Sequence, residues 1–286
     1  MEYLLILLSA VMFSVQFFLN DCYQKSEGTT VVSALTFSLI TSVFGCIMLI
    51  AYGGLGRITL FTFFMSAVSA IKNFIQIYCG IKVLKVANLS VYSLFSMLGG
   101  MLLPFIYGIA CGERLTSAKA GCIIFIAAAL FFGLPRGSQS SAKRKTCLYY
   151  AGIFILNGLS GILAEIHQSY TRLAADAKVY TLWDRIITVV LCVIWLIVLG
   201  QHKKLKYQKP LQSILVASGY AFFNTAANLI LLYALLHVDA SVQYPIVTGG
   251  VIVLSLAFDL ILGRRPEKGS YIAALLSVAG MLLLVL

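Results

Sequence analysis

The sequence predicts an all-α polytopic membrane protein with ten transmembrane helices in two inverted five-helix repeats. Composition is the first of three observations behind this: 60% of the 286 residues are hydrophobic and 11% are charged, a balance outside that of soluble domains. Next, ten apolar stretches, each near the roughly 20 residues a membrane helix needs, leave only short connectors. Finally, the chain from Asn73 to Arg265 repeats itself. A shift of 151 positions lays Asn73 on Asn224, Ser90 on Ser241, Gly99 on Gly250 and Gly112 on Gly263. Each copy holds five spans, and an odd number of crossings inserts the second copy upside down relative to the first. The expected organisation is a first repeat over 1–134, a basic connector over 135–147 and an inverted repeat over 148–286.

The spans follow in order. Span one, 3–20, starts beside Met1 with acidic Glu2 as its only early charge. It lacks the basic n-region and small-residue cleavage site of a secretory signal, so it is expected to stay as a helix. Span two, 30–51, is apolar. Span three, 60–82, carries Lys72, Asn73 and Gln76, and span four, 87–109, carries Asn88, Tyr92, Ser96 and Gly99-Gly100. Span five, 116–134, is apolar. Span six, 148–171, carries Asn157, Glu165, His167 and Gln168, and span seven, 179–199, opens with Trp183-Asp184-Arg185. Span eight, 211–236, holds Tyr220, Asn224 and Asn228; span nine, 240–262, holds Gln243, Tyr244, Pro245, Gly249-Gly250 and Asp259. Span ten, 269–286, closes the chain. These runs are continuous, which excludes the alternating ten-residue segments of a β-barrel.

The net charge of +11 sits in the short loops between spans, so lipid headgroups and topology explain it better than nucleic acid. Odd-numbered connectors carry fourteen Lys and Arg, among them Lys143, Arg144, Lys203, Lys204, Arg264 and Arg265, against five on even-numbered ones. The positive-inside rule then puts odd connectors in the cytoplasm and both termini outside, in the cell (inner) membrane. Seven cysteines lie mostly within spans with no CxxC, and three histidines are scattered. They suggest neither a disulfide framework nor a metal site, and no cofactor is expected. No P-loop or nucleophile elbow occurs.

The segment from Tyr233 to Pro245, followed by Gly249-Gly250 and Gly263, resembles the eighth-to-ninth helix signature of the drug/metabolite transporter superfamily, EamA-like branch. Gly112-Glu113-Arg114-Leu115-Thr116 resembles the turn that closes the fourth helix in that family. The resemblance covers nearly the whole chain, including the helix count and the doubled halves. Two departures are visible: the second copy of the turn reads Gly263-Arg264-Arg265, and Pro245 faces Leu94 in the first copy. The resemblance implies a secondary transporter of small organic metabolites, with a central cavity lined by both halves.

Polar side chains at membrane depth are costly and are candidates for function. Lys72, Asn73 and Gln76 share one helix face by their spacing. Lys72 is too far from either end to snorkel, so it is either neutralised by a resident carboxylate or is a cavity cation that holds an anionic substrate group. Glu165, with Gln168 on its face, is a candidate for proton coupling, since a carboxyl in a low-dielectric cavity can exchange protons near neutrality. Its structural alternative is a fixed ion pair with Arg185 or Lys72. Asp184 and Arg185 are gating candidates, with an interfacial anchor of Trp183 and Arg185 as the alternative. Asn224 and Asn228 form a polar stripe, and such asparagines either bind ligand or join helices. Tyr92 and Tyr244 complete the expected substrate-binding set with Lys72, Asn73, Gln76, Trp183, Asn224 and Asn228. The glycines of Gly108-xxx-Gly112 read as packing positions, and Pro245 as a bend in span nine.

Without a nucleotide-binding motif, energy is expected from an ion gradient or from exchange, with protons as candidate partners and export as the family's commoner direction. The expected state is monomer or homodimer. Two other classes stand beside this one. An intramembrane enzyme on a lipid-like substrate needs clustered acids, whereas the ten acids here are dispersed. A non-transporting sensor or assembly subunit predicts no polar stripe at the midplane.

Overall fold

The computed structural model describes residues 2–28, 30–84, 89–132, 144–200, 210–261, 263 and 268–285, with side chains except at 81, 83–84, 89–95, 144–147, 259 and 284–285. Among these residues the chain forms ten helices: α1 (Glu2–Glu27), α2 (Val31–Ala51), α3 (Leu60–Leu84), α4 (Leu89–Ala110), α5 (Ser117–Phe132), α6 (Arg144–Ser169), α7 (Ala177–Val198), α8 (Pro210–Ala234), α9 (Ala240–Ile261) and α10 (Lys268–Val285). Seven of them (α1, α2, α3, α6, α7, α8 and α9) contain stretches long and apolar enough to cross a membrane, as in an integral membrane protein. The described apolar stretches of the other three, Ser96–Ala110, Ser117–Phe132 and Lys268–Leu283, are shorter.

The helices follow the apolar runs because a backbone without water must satisfy its own donors and acceptors. Local chemistry sets their ends. The Thr30 hydroxyl accepts from the Ser33 amide at 3.1 Å and starts α2, and the Asp176 carboxylate accepts from the Lys178 amide at 2.9 Å and starts α7, relieving orphan N–H groups at each N-terminus. Gly112 and Gly263, the matched pair of the repeat, follow α4 and α9 with φ of 106° and 69°, a left-handed conformation that costs glycine little.

Two boundaries differ from the expected ones by more than a turn or so. α1 runs to Glu27, seven residues past the apolar run that ends at Asn20. Its last turns are held by polar i,i+4 pairs, Gln24 to Asn20 at 3.2 Å and Lys25 to Asp21 at 2.6 Å, and by Tyr23, whose ring lies tilted 4.5 Å from that of Phe37 of α2. α6 begins at Arg144, inside the stretch expected as connector. The rest of that connector, 135–143, and the basic stretches 203–209 and 264–267 lie outside the described residues.

Helices from the two halves interleave. α1 packs on α8 and α9, α6 on α3 and α4, α2 on α7, α4 on α9, and α5 on α10. The α4–α6 seam is backbone against backbone: a Cβ on Gly99 would stand 1.9 Å from the Phe154 carbonyl oxygen. Gly108 serves differently from its expected helix-packing role. It leaves room for the Glu113 carboxylate, 2.7 Å from where its Cβ would be, and Gly112 has nothing within 4 Å of its own. Buried apolar side chains such as Ile6, Ala10 and Ile246 fill one end of the bundle. Its outer surface is also apolar, with Leu60 86% and Leu275 71% exposed, as a lipid-facing girdle requires.

Candidate functional site

A cavity of about 500 Å³ lies among eight helices, α1–α4 and α6–α9. Each helix presents a stripe to it, because residues three and four apart share a helical face. α3 offers Ser69, Lys72, Asn73 and Gln76; α6 offers Asn157, Ser160, Gly161 and Ala164; α7 offers Thr181, Asp184, Arg185 and Thr188. α8 adds Tyr220, Asn224 and Asn228, and α1 adds Gln16 and Asn20. Pro245 and Pro104 sit inside α9 and α4, and the α9 stripe of Tyr244, Val247 and Thr248 lies just beside the first.

The stripe on α3 fans out to three helices. Lys72, 4% exposed, donates from Nζ to Ser160 Oγ on α6. Asn73 donates to Asp184 Oδ1 on α7 at 3.3 Å. Gln76 donates to Asn157 Oδ1 at 3.1 Å, and Asn157 passes the chain on to the Ser96 carbonyl of α4 at 2.6 Å. Gly100 makes this possible, since a Cβ there would stand 2.6 Å from Asn157 Nδ2. On the other wall Arg185 donates to Asn224 Oδ1, and Asn224 donates to Gln16 Oε1 at 2.8 Å. Asn228 donates to the Asn224 carbonyl at 2.7 Å. The repeat mates Asn73 and Asn224 thus hold consecutive residues of α7. Among the described lining residues, charge comes from Lys72, Asp184 and Arg185.

One end of the cavity reaches Gly28 and Ser33, where α1 turns into α2, and Gly80 near the end of α3. The other end is filled. Tyr180 stacks on His167 at 4.4 Å, His167 Nε2 meets Thr62 Oγ1 at 3.0 Å, and Met65, Leu163 and Leu232 pack around them. The Tyr244 hydroxyl rests where a Cβ on Gly161 would meet it at 2.9 Å.

Of the residues expected at the site, Lys72, Asn73, Gln76, Asn224, Asn228, Tyr244, Asp184 and Arg185 line this one cavity. Trp183 is not among its lining residues; it lies one residue round from Asp184, against Phe63 at 5.5 Å. Glu165 is also off the lining. The α6 stripe passes through Gly161 and Ala164, and Glu165 is a further 100° round the helix. It makes no ion pair with Lys72 or Arg185 among the described residues; the charges acting on it are the acids Glu113 and Asp239. Its Oε2 is buried without a hydrogen-bond partner. The Tyr92 side chain, Asn88 and the Asp259 side chain lie outside the described residues.

Sequence reasoning passed over Gln16, Ser69 and Ser160, although each has a polar residue three or four positions away, Asn20, Lys72 and Asn157 respectively, on the same helix face. It also read Glu113 only as part of a turn. Glu113 accepts from the amides of Ala240 at 2.9 Å and Ser241 at 3.2 Å and from the Ser241 hydroxyl, capping α9 from across the bundle. Lys119 bridges it at 3.5 Å to Asp239 at 2.7 Å. Ser241, the repeat mate of Ser90, is part of this cap.

No family model matches the chain, and no curated protein matches it. A solved structure described as "Crystal structure of protein" is similar to it with a TM-score of 0.74 and 17% identity, over 99% of this chain and 98% of that one. At that identity the likeness speaks for the fold alone.

Proposed function

We propose that the chain is a secondary active transporter, an exporter or exchanger of a small polar or amphipathic organic metabolite, working by alternating access in a cell membrane. The observation that carries this reading is the polar cavity of about 500 Å³ built by helices of both halves. Small-molecule sites are of this size and are placed between bundled helices, and polar groups kept at membrane depth mark substrate paths.

All ten helices cross the bilayer in this reading, with α4, α5 and α10 as the shorter spans. The pairing of helices supports two inverted repeats. Exchanging the halves turns the α1–α8 contact into α6–α3 and α1–α9 into α6–α4, and returns α2–α7, α4–α9 and α5–α10 to themselves, as a twofold axis demands. The shared left-handed glycines after α4 and α9 agree with it. Membership of the drug/metabolite transporter superfamily, EamA-like branch, belongs to the same proposal and rests on the motifs around Glu113 and Tyr233–Pro245.

The open end at the α1–α2 turn lies on the side of the odd connectors, which the positive-inside rule assigns to the cytoplasm. This arrangement is then the inward-facing one, closed outside by the His167–Tyr180 stack. Rocking of the halves would open that end and close the other around the same site. Glu165 stands next to the closed end as a half-buried carboxyl whose Oε2 is buried and unused, so proton coupling would act on the outer gate and not at the substrate.

Counterflow in liposomes tests the reading. Liposomes bearing the protein and preloaded with unlabelled amino acids, carboxylates, nucleosides or amines should accumulate the labelled form of at least one class, and an absence of exchange for all of them refutes it. With such a solute, Glu165→Gln should abolish pH-driven transport while exchange persists. Undiminished pH-driven transport removes Glu165 from coupling.

A further inference from the structure

The charge of the cavity points to the class of its ligand, an inference that rests on the transport reading for its meaning but not for its test. We propose that the cavity is an anion site, and that its ligand carries a carboxylate or phosphate group held by Lys72 and Arg185.

Among the described lining residues there are two cations and one anion, an excess of one positive charge in a space walled by helices. The anion is already engaged. Asp184, 7% exposed, receives a hydrogen bond from Asn73, and both cations act on it electrostatically. The cations keep donors in hand. Lys72 Nζ has three and spends one on Ser160. The guanidinium of Arg185 has five and gives one to Asn224, while its Nε is buried with no partner. The Arg185 side chain packs beside Gly45 of α2, its Nε 3.6 Å from where a Cβ would be. A buried positive charge without full compensation is costly, and an anion between the two cations removes that cost while using the spare donors. A cationic ligand would meet the same excess as repulsion. The aromatic wall of Phe37 and Tyr220, whose rings are 4.8 Å apart, gives the rest of the ligand an apolar seat.

The test is equilibrium binding to the purified full chain, read as a saturable rise in melting temperature at fixed ionic strength. The probes are small carboxylates and phosphate monoesters, each with the neutral amide or alcohol and the amine of the same skeleton. The expected result is stabilisation by one or more anions and not by their neutral or cationic counterparts. Lys72→Met and Arg185→Gln should each weaken that binding tenfold or more, and Asp184→Asn should strengthen it, a gain that misfolding cannot imitate. The proposal is overturned if no anion binds, if the neutral or cationic counterparts bind as well, or if Asp184→Asn fails to strengthen binding. Binding of an anion with no counterflow by any solute class would leave this site standing and sink transport; counterflow of an amine with no anion bound would do the reverse.

Discussion

Glu113 and Asp184 are both carboxylates set among apolar helices, and their surroundings differ in one respect. Around Glu113 every partner is part of the protein: two backbone amides and a hydroxyl at the start of α9, and Lys119 with Asp239 beyond it. Around Asp184 the protein supplies more positive charge than the carboxylate can use, beside an open cavity. The first cluster is closed on itself and joins α4, α5 and α9. The second is left open on one side. Polar groups at membrane depth can therefore be saturated, and then they clamp, or incompletely saturated, and then they are free to receive.

The largest expected effect breaks the clamp. Glu113→Ala removes charge-assisted hydrogen bonds to buried amides and should cost about 2 kcal/mol of stability, measured as loss of folded protein in a detergent melt. Next, Lys72→Met should separate the two roles. Replacing an uncompensated buried charge by an apolar side chain of similar length should leave stability nearly unchanged, whereas anion binding should fall at least tenfold, about 1.4 kcal/mol. A large melt shift with unchanged binding would move Lys72 into the clamp category. A smaller effect is expected for Asn224→Ala, which frees Arg185 and Gln16 from two helix-to-helix hydrogen bonds worth about 0.6 kcal/mol each. The smallest belongs to Asp239→Asn. Its side chain is 54% exposed, so its bond to Lys119 should be worth about 0.5 kcal/mol or less, and a larger loss on melting would show that the clamp needs all three charges.

Much of the helical architecture was legible because a single rule, backbone satisfaction in a long apolar run, dominates it. The end of α1 was not, since Asp21 to Glu27 are polar and their helix is maintained by i,i+4 pairs and by Tyr23 on Phe37, contacts that composition does not announce. At the site, spacing alone identified the face of Lys72, Asn73 and Gln76. It could not tell that this one face touches Ser160 and Asn157 on α6 and Asp184 on α7. Grouping by depth without angle placed Trp183 and Glu165 in the cavity. Each lies one residue, or 100°, from a lining position, and in a helix that small step separates the inside from the flank. Glu113 was missed because the amides and hydroxyl it accepts from begin a helix 127 positions further on, a pairing that leaves no trace in local spacing.

The cap on α9 also sets an order of events. Glu113 precedes the amide of Ala240 by 127 positions, so a chain made from its N-terminus completes α4 long before the donors for this carboxylate exist. The early half carries an unfilled socket until the late half arrives. A chain interrupted after α8 would still bear that socket, and with it a recognisable mark of unfinished assembly.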